Sequence, residues 1–269
     1  MGIQALLSDP IAYLKSILLI LPAVLPALVL HECAHGYVAY RLGDPTAKAM
    51  GRLSLNPLKH LDPLGTLCMV FIGLGWAKPV PIDPRYFRHP RRDDLLVSLA
   101  GIAANLLMFL GGCIVMLVFV TVGLKAVPED MWYRSGEYLV QLDDALYRVA
   151  LSDVALYPTA MSEYLITPYL GSVWGVVYEI VANFVCINLG LAIFNLLPVP
   201  PLDGYHVFND LLLKKSLYAS PRAARIGQGI LLVLVWTGAL SKVLGVIEDG
   251  VMSGVGRVFM LFFQLLNIG

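Results

Sequence analysis

Four long apolar stretches constrain the fold of this 269-residue chain more than any other feature: 11–40, 95–124, 170–197 and 223–247. About 20 consecutive apolar residues are enough for a helix to cross the roughly 30 Å hydrocarbon core of a bilayer. With 58% hydrophobic and 14% charged residues, the chain is also too apolar for an ordinary soluble domain. The sequence therefore predicts an all-α polytopic membrane protein in which 1–269 form one membrane-embedded domain.

The region between the first two predicted spans, 46–92, is mixed in character and rich in Pro and Gly. Its apolar run 64–77 is too short to cross the bilayer, so we predict a re-entrant or partly inserted hairpin there. The segments Lys48–Leu55 and Ala77–Ile82 are predicted as short β-strands. Together these features give a helical core with a re-entrant hairpin and short strands on the cytoplasmic side.

The distribution of charge predicts the orientation, because basic residues in short loops favour the cytoplasmic side. Segment 41–92 carries nine of them: Arg41, Lys48, Arg52, Lys59, Lys78, Arg85, Arg88, Arg91 and Arg92. The 125–168 loop has three basic residues against seven acidic ones, so we predict that it is extracytoplasmic. The N-terminus is then extracytoplasmic too, in a multi-pass protein of the cell membrane. A formal net charge of zero gives no indication of nucleic-acid binding.

A histidine pair lies near the end of the first predicted span, in the pattern His31-Glu32-Cys33-Ala34-His35. Residues four apart share one helical face, so both imidazoles can reach a single Zn²⁺. Ionisable side chains inside a membrane helix are costly and usually functional. We therefore predict that His31 and His35 bind zinc and that Glu32 is the general base. The alternative is three polar residues whose hydrogen bonds are satisfied at a helix end.

A catalytic zinc usually takes three protein ligands and leaves one position open. Asp203 is the candidate for the third ligand, because it follows the third predicted span and a proline-rich run that favours extended backbone. The first and third spans both run from outside to inside. Asp203 and the histidine pair are therefore predicted at a similar depth, near the cytoplasmic side.

These motifs resemble those of the site-2 protease family of intramembrane metalloproteases, whose signature combines H-E-x-x-H with an Asn…Pro-x-Pro…Asp-Gly element. The resemblance extends to Gly51–Pro57, Gly75–Pro81 and Ala100–Asn105, and covers about residues 20–210. It is greatest to compact bacterial members that lack a PDZ or nucleotide-sensing domain. One departure is Ile102-Ala103, where many relatives have Pro after the Gly.

The resemblance implies a zinc endopeptidase that cleaves transmembrane proteins in or near the bilayer. It also implies that Asn195 donates a hydrogen bond to the developing oxyanion, whereas the alternative is an amide that bonds between helices. A helical substrate must be unwound before cleavage. A strand edge at Gly51–Leu55 or Lys78–Ile82 would hold it by β-augmentation, unless these segments are only interfacial loops.

Other polar residues are weaker candidates. His206 is a possible fourth ligand, although a fourth protein ligand would close the open position on zinc. His60 and His89 lie among basic residues and are predicted at the surface. Asn56 and Asn105 can bond across helices, and the sequence gives them no further role.

Two functions from other classes stay open at this point. A membrane metal-binding or transport protein also places His and Asp within spans, but transport requires a succession of ligands across the membrane. A pseudoprotease that only binds membrane partners is the other. The sequence does not define the substrate's identity or the oligomeric state.

Overall fold

The computed structural model describes residues 6–72, 75–126, 166–213 and 221–265, which are mostly helical. The main helices are α1 Pro10–Arg41, α2 Pro63–Ile72, α3 Pro90–Ala126, α4 Ser172–Asn195, α5 Asp203–Phe208, α6 Pro221–Trp236 and α7 Ala239–Leu265. Single turns of α-helix lie at Thr46–Ala49 and Thr167–Leu170, and 3-10 turns lie at Pro57–Lys59 and Pro84–Tyr86. A π-helical turn, Asn209–Leu213, follows α5 directly.

Among the described residues, three helices are each long and apolar enough to cross a membrane: Pro10–Arg41, Pro90–Gly123 and Ser172–Asn195. They match the first three predicted spans, and with the chain's composition they make this a membrane protein. The fourth predicted span, 223–247, covers parts of α6 and α7 and stays a prediction. The helix breaks at Thr237 and Gly238 because Gly238 has a φ of 70°, a left-handed conformation that interrupts the α-helix. Helices α6 and α7 meet the criteria for a membrane span only when they are taken together, as a pair bent at this break.

The short strands predicted on the cytoplasmic side are absent from the described residues. The only β pairing there is a single antiparallel bridge between Leu61 and Ala77. Pro79 and Pro81 supply no backbone N–H, so the second segment can pair along one side only. The hairpin at 64–77 stays a prediction, since the described part of that run is helix α2 and residues 75–77, where Ala77 forms the bridge. Most of the predicted extracytoplasmic loop, 125–168, lies outside the described residues.

Helix α1 has a defined start and end. The Asp9 side chain accepts a hydrogen bond from the Ala12 N–H, 2.9 Å away, and thereby caps the first turn. The helix ends at Arg41, before Gly43, whose φ is 111°. Asp44 is fully buried and accepts hydrogen bonds from the backbone N–H groups of Thr46 and Asp83 at 2.9 and 2.7 Å. Asp44 therefore anchors the following loop to the C-terminal end of α1.

The chain divides into two compact units, Met1–Leu107 with Asn188–Leu244, and Met108–Ile187 with Gly245–Gly269. The first unit has a small apolar cluster of Ala39, Phe87 and Val97. In the second unit, the Phe119 ring contacts the rings of Trp174 and Tyr178 at centroid distances of 5.8 and 5.9 Å. Every candidate site residue named above lies in the first unit.

Within the first unit, glycines let backbone segments approach closely around the proline-rich run. A Cβ on Gly204 would overlap the backbone of Leu196 and Leu197. A Cβ on Gly227, in α6, would overlap the carbonyl oxygen of Pro200. The run that leads to Asp203 is therefore held by backbone contacts that tolerate no side chain.

This packing predicts different effects for two glycines of the same helix. Gly227→Ala should destabilise the protein by about 1–3 kcal/mol, because the added methyl group meets fixed backbone. Gly229→Ala is the matched control, since a Cβ there meets nothing within 4 Å. It should be neutral or stabilising by up to about 1 kcal/mol. Thermal unfolding in detergent measures both, and equal midpoints would contradict the packing of Gly227 on Pro200.

Candidate metal centre

The two histidines of α1 are buried and face the same point. His31 and His35 lie one helical turn apart, and each is 7% exposed. Their rings meet edge to face with centroids 4.6 Å apart. Their Nε2 atoms are 3.0 Å apart, so the spacing expected from the sequence is realised.

Asp203 brings a carboxylate to the same point from the start of α5. Its Oδ2 atom lies 3.4 Å from Nε2 of His31 and 3.3 Å from Nε2 of His35. The three ligand atoms all lie within 4.8 Å of one another. Among the described residues this is the only group of three or more His, Cys, Asp or Glu side chains that could hold a metal ion.

Helix α3 orients both imidazoles through their other nitrogen. Nδ1 of His35 is 2.7 Å from the carbonyl oxygen of Val97, which can only accept, so this nitrogen carries the proton. Nδ1 of His31 is 2.5 Å from Oδ1 of Asn105. The Asn105 amide nitrogen donates to Oδ1 of Asn188 at 2.9 Å, which turns its own oxygen towards His31. Both histidines therefore present an unprotonated Nε2.

This geometry suits a cation. Two imidazole lone pairs and a carboxylate oxygen converge, and all three atoms are hydrogen-bond acceptors. The buried Oδ2 of Asp203 has no hydrogen-bond partner. Two nitrogens and one oxygen are a donor set that zinc takes in catalytic sites, with a fourth position left for water. The residues present therefore fit a zinc ion.

Gly101 makes the approach of α3 to the histidines possible. A Cβ at this position would overlap atoms of both the His31 and His35 rings. Gly101 lies one turn from Val97 and one turn from Asn105. The imidazoles contact α3 at Gly101, where there is no side chain, and they bond to Val97 and Asn105 one turn away in each direction. The spacing 97, 101, 105 thus matches the spacing of the two histidines.

Glu32, the predicted general base, lies half-buried beside the metal centre. Its Oε2 atom accepts a hydrogen bond of 2.8 Å from the backbone N–H of Val80. That donor lies in Lys78–Ile82, one of the two segments that the sequence analysis considered as a strand edge for the substrate.

Asn195, the predicted oxyanion donor, is the last residue of α4. Its amide nitrogen donates to the carbonyl oxygen of Leu191, 3.0 Å away in the preceding turn. That bond uses one of its two N–H groups. The role of Asn195 towards a substrate stays a prediction.

His206 does not belong to the metal group of the described residues. Its Nδ1 atom lies 2.9 Å from Oδ2 of Asp94 in α3. Burial disfavours the imidazolium, but the hydrogen bond and charge of Asp94 outweigh it and raise the pKa of His206. Nearby, burial and then the charge of Asp94 raise the pKa of Asp210 to about 6. The ion pair ties α5, which carries Asp203, to α3.

The prediction that His60 lies at the surface is wrong. It is 1% exposed, and its Nε2 lies 2.7 Å from the carbonyl oxygen of Ser54. Its own carbonyl accepts from the Lys78 N–H at 2.7 Å. His60 therefore ties three parts of the first unit's loop region together. His89 is exposed, as expected.

Comparison with known proteins agrees with this geometry. The family model described as "Peptidase family M50" matches residues 19–238. The chain belongs to peptidase family M50. This confirms the resemblance to site-2 proteases. The M50 match includes all three residues of the metal group and Glu32.

Two relatives of this M50 protein are informative. It is 34% identical over 241 residues to "Putative zinc metalloprotease YwhC" of Bacillus subtilis, covering 89% of this chain and 90% of the relative. It is 27% identical over 238 residues to "Putative zinc metalloprotease Rip2" of Mycolicibacterium smegmatis, covering 87% and 72%. No solved structure gives a significant match.

The sequence revealed only some of the groups that hold the predicted ligands in place. The expectation that Asn105 bonds across helices is confirmed by its contacts with His31 and Asn188. Val97 and Val80 act through backbone atoms, which leave no side-chain signal. Asn105 and Asn188 did carry a side-chain signal in the sequence, because an amide in an apolar span needs a hydrogen-bond partner. Asn188 also lies seven residues before Asn195, two turns along the same face of α4.

The orientation of His31 by Asn105 predicts that Asn105→Leu weakens zinc binding about 10- to 100-fold, as losses of groups that orient metal ligands usually do. Leu has a similar volume to Asn but cannot accept a hydrogen bond from the Nδ1–H group of His31. Zinc affinity is measured by competition with a chromophoric chelator.

Thr121→Val is the control on the same helix. The Thr121 hydroxyl bonds to the carbonyl oxygen of Leu117, within α3 itself. This variant should keep full zinc affinity. Equal affinities in the two variants would show that Asn105 does not orient His31.

Proposed function

We propose that this protein is an intramembrane zinc endopeptidase that hydrolyses peptide bonds within or near transmembrane segments of membrane proteins. The observation that carries the proposal is the convergence of His31, His35 and Asp203 on one point, with Glu32 beside them. Membership of family M50 supports the peptidase activity. The names of the relatives, which contain "zinc metalloprotease", support zinc as the metal.

The metal in this proposal is one zinc ion per chain, held by Nε2 of His31, Nε2 of His35 and Oδ2 of Asp203. When bound, zinc supplies a Lewis acid for the scissile carbonyl and lowers the pKa of a water at its open position. Val97 and Asn105 keep both histidines in the tautomer that binds metal.

The remaining steps belong to the chain's own residues. The Glu32 carboxylate accepts a proton from the attacking water and passes it to the leaving amine, as a general base and then a general acid. The second N–H of Asn195 donates to the oxygen that gains charge when the carbonyl is attacked. Glu32 lies in α1 between the two histidines, and Asn195 ends α4, eight residues before Asp203.

The substrate class follows from the position of the site in the chain. His31 and His35 lie near the end of one membrane-spanning helix, and Asp203 lies just beyond the end of another. The substrate is therefore a transmembrane protein, reached through the bilayer. The basic residues of 41–92 support a cytoplasmic location of the site and an extracytoplasmic N-terminus, in the cell membrane.

The two alternative functions receive less support. A transporter would need further ligands along the spans, whereas the described residues hold a single metal group. A pseudoprotease would have lost a ligand or the base, and all four residues are present in this chain.

The first functional prediction compares Glu32→Gln with Asp203→Ala. Glu32→Gln should retain about one zinc per chain and abolish cleavage, because an amide keeps the shape but cannot take up the proton. Asp203→Ala removes a ligand and should weaken zinc binding as well as activity. Zinc stoichiometry and cleavage of a model transmembrane substrate are measured on the same purified samples.

Asp93→Ala is the control for loss of a buried carboxylate. The Asp93 side chain accepts a hydrogen bond from the backbone of His89 at the start of α3, so its loss should cost about 1 kcal/mol of stability and leave zinc bound. Cleavage by the Glu32→Gln variant would refute the mechanism. Unchanged zinc affinity in Asp203→Ala would remove Asp203 from the metal centre.

Asn195→Ala should lower the turnover number by about 10²-fold or more while leaving zinc bound, the usual effect of losing one oxyanion donor. Asn183→Ala is a close control, because the Asn183 amide also donates to the carbonyl one turn earlier in α4. Turnover is measured at saturating substrate. Equal turnover in the two variants would reduce Asn195 to a residue that stabilises its own helix.

A further inference from the structure

The hydrogen bond between Glu32 and Val80 joins the predicted base to a segment that follows it by 48 residues. Oε2 of Glu32 accepts from the Val80 backbone N–H at 2.8 Å. A bond from an amide to a carboxylate is stronger than one between neutral groups. The contact therefore fixes one carboxylate oxygen of Glu32 and leaves Oε1 for another partner.

The N–H donor is itself held rigidly. The guanidinium of Arg52, 8% exposed, donates to the carbonyl oxygens of Lys78 and Pro79 at 2.8 and 3.2 Å. The Lys78 N–H donates in turn to the carbonyl of His60 at 2.7 Å. Three backbone groups directly before the Val80 N–H thus have fixed partners within the first unit.

The Val80 side chain adds a contact on the α1 side. It is 6% exposed and lies against Gly36, where a Cβ would come within 2.9 Å of Val80 Cγ1. Glu32 and Gly36 are one turn apart on the same face of α1. Val80 therefore makes two contacts with that face: its N–H donates to Glu32, and its side chain packs against Gly36.

A general base works only when its free oxygen is within about 2.6–3.2 Å of the proton that it removes. A glutamate side chain has three rotatable bonds, and a half-buried one loses that freedom only if something holds it. The Val80 N–H is placed to do this without using a second side chain.

We propose that the backbone N–H of Val80 is a positioning group for Glu32: it holds Oε2 so that Oε1 faces the reacting water. This inference rests on the proposed function, in which Glu32 is the base. A purely structural bond would have a different consequence, since its loss would lower stability and leave the turnover number unchanged.

The test removes this N–H in two ways. Val80→Pro deletes it and makes the Pro79 carbonyl a stronger acceptor for Arg52. An ester at the same position, made by incorporating the α-hydroxy analogue of valine, deletes it and makes that carbonyl a weaker acceptor. Val80→Ala is the control, because it trims the side chain and keeps the N–H. An effect shared by the first two variants therefore comes from the missing N–H alone.

Both N–H-deleted variants should keep one zinc per chain and a KM within about twofold of that of Val80→Ala. Their kcat should fall about tenfold or more, because the base is no longer aligned. A kcat equal to that of Val80→Ala overturns the inference. The inference is also overturned if, in all three variants, the loss of activity parallels the loss of stability or of bound zinc.

A second measurement needs neither zinc nor substrate. Labelling Pro carbonyls with ¹³C and Val amides with ¹⁵N selects the two Pro-Val pairs, Pro79-Val80 and Pro198-Val199, and Val80→Ala identifies the first. In the metal-free protein the Val80 amide proton should move upfield in Glu32→Ala. An unchanged resonance overturns the inference.

Wild type and Glu32→Gln in the same cleavage assay separate the two proposals. Active wild type, inactive Glu32→Gln and unimpaired N–H-deleted variants reject only the positioning role of Val80. Inactive wild type with zinc bound rejects the proposed function, and the positioning role with it.

Discussion

The convergence of three electron-pair donors on one point, near the end of a membrane helix, is the constraint on which the first unit depends. Nε2 of His31 and His35 and Oδ2 of Asp203 repel one another unless a cation lies between them. Such an arrangement costs free energy that the surrounding chain must offset. The chain does so by giving each imidazole a fixed partner and by packing the Asp203 turn against backbone with no intervening side chain.

Helix α3 links most of these supports. Asp94, Val97, Gly101 and Asn105 follow at intervals of three or four residues, so they lie along one face. On that face Asp94 pairs with His206, and Val97 and Asn105 bond to the metal-site histidines. Gly101 leaves room for the two imidazole rings. The helix therefore acts as a rigid reference for ligands that arrive from two other parts of the chain.

The sequence predicted what depends on local pattern. Apolar length predicted the first three spans, and spacing predicted that His31 and His35 share a face. Nothing local distinguished Asn105 from other amides, because its role depends on a helix about 70 residues away. His60 was misplaced for the same reason: its basic neighbours suggested solvent, whereas tertiary contacts bury it. In the part of the chain that the structure describes, the strands are absent for two local reasons. Lys48–Leu55 begins within the helical turn Thr46–Ala49, and Pro79 and Pro81 remove the donors along one side of Ala77–Ile82.

The hydrogen bonds from Arg52 to the carbonyl oxygens of Lys78 and Pro79 have an evolutionary consequence. These contacts, like the Val80 N–H, use atoms that nearly every amino acid possesses. Residues 78–80 can therefore change side chain with little effect on the hydrogen bonds made by their backbone. Their register cannot change, because inserting or deleting one residue between Ala77 and Asp83 would turn each group to the opposite side of the extended chain. We therefore expect homologous proteins to keep the length of this segment.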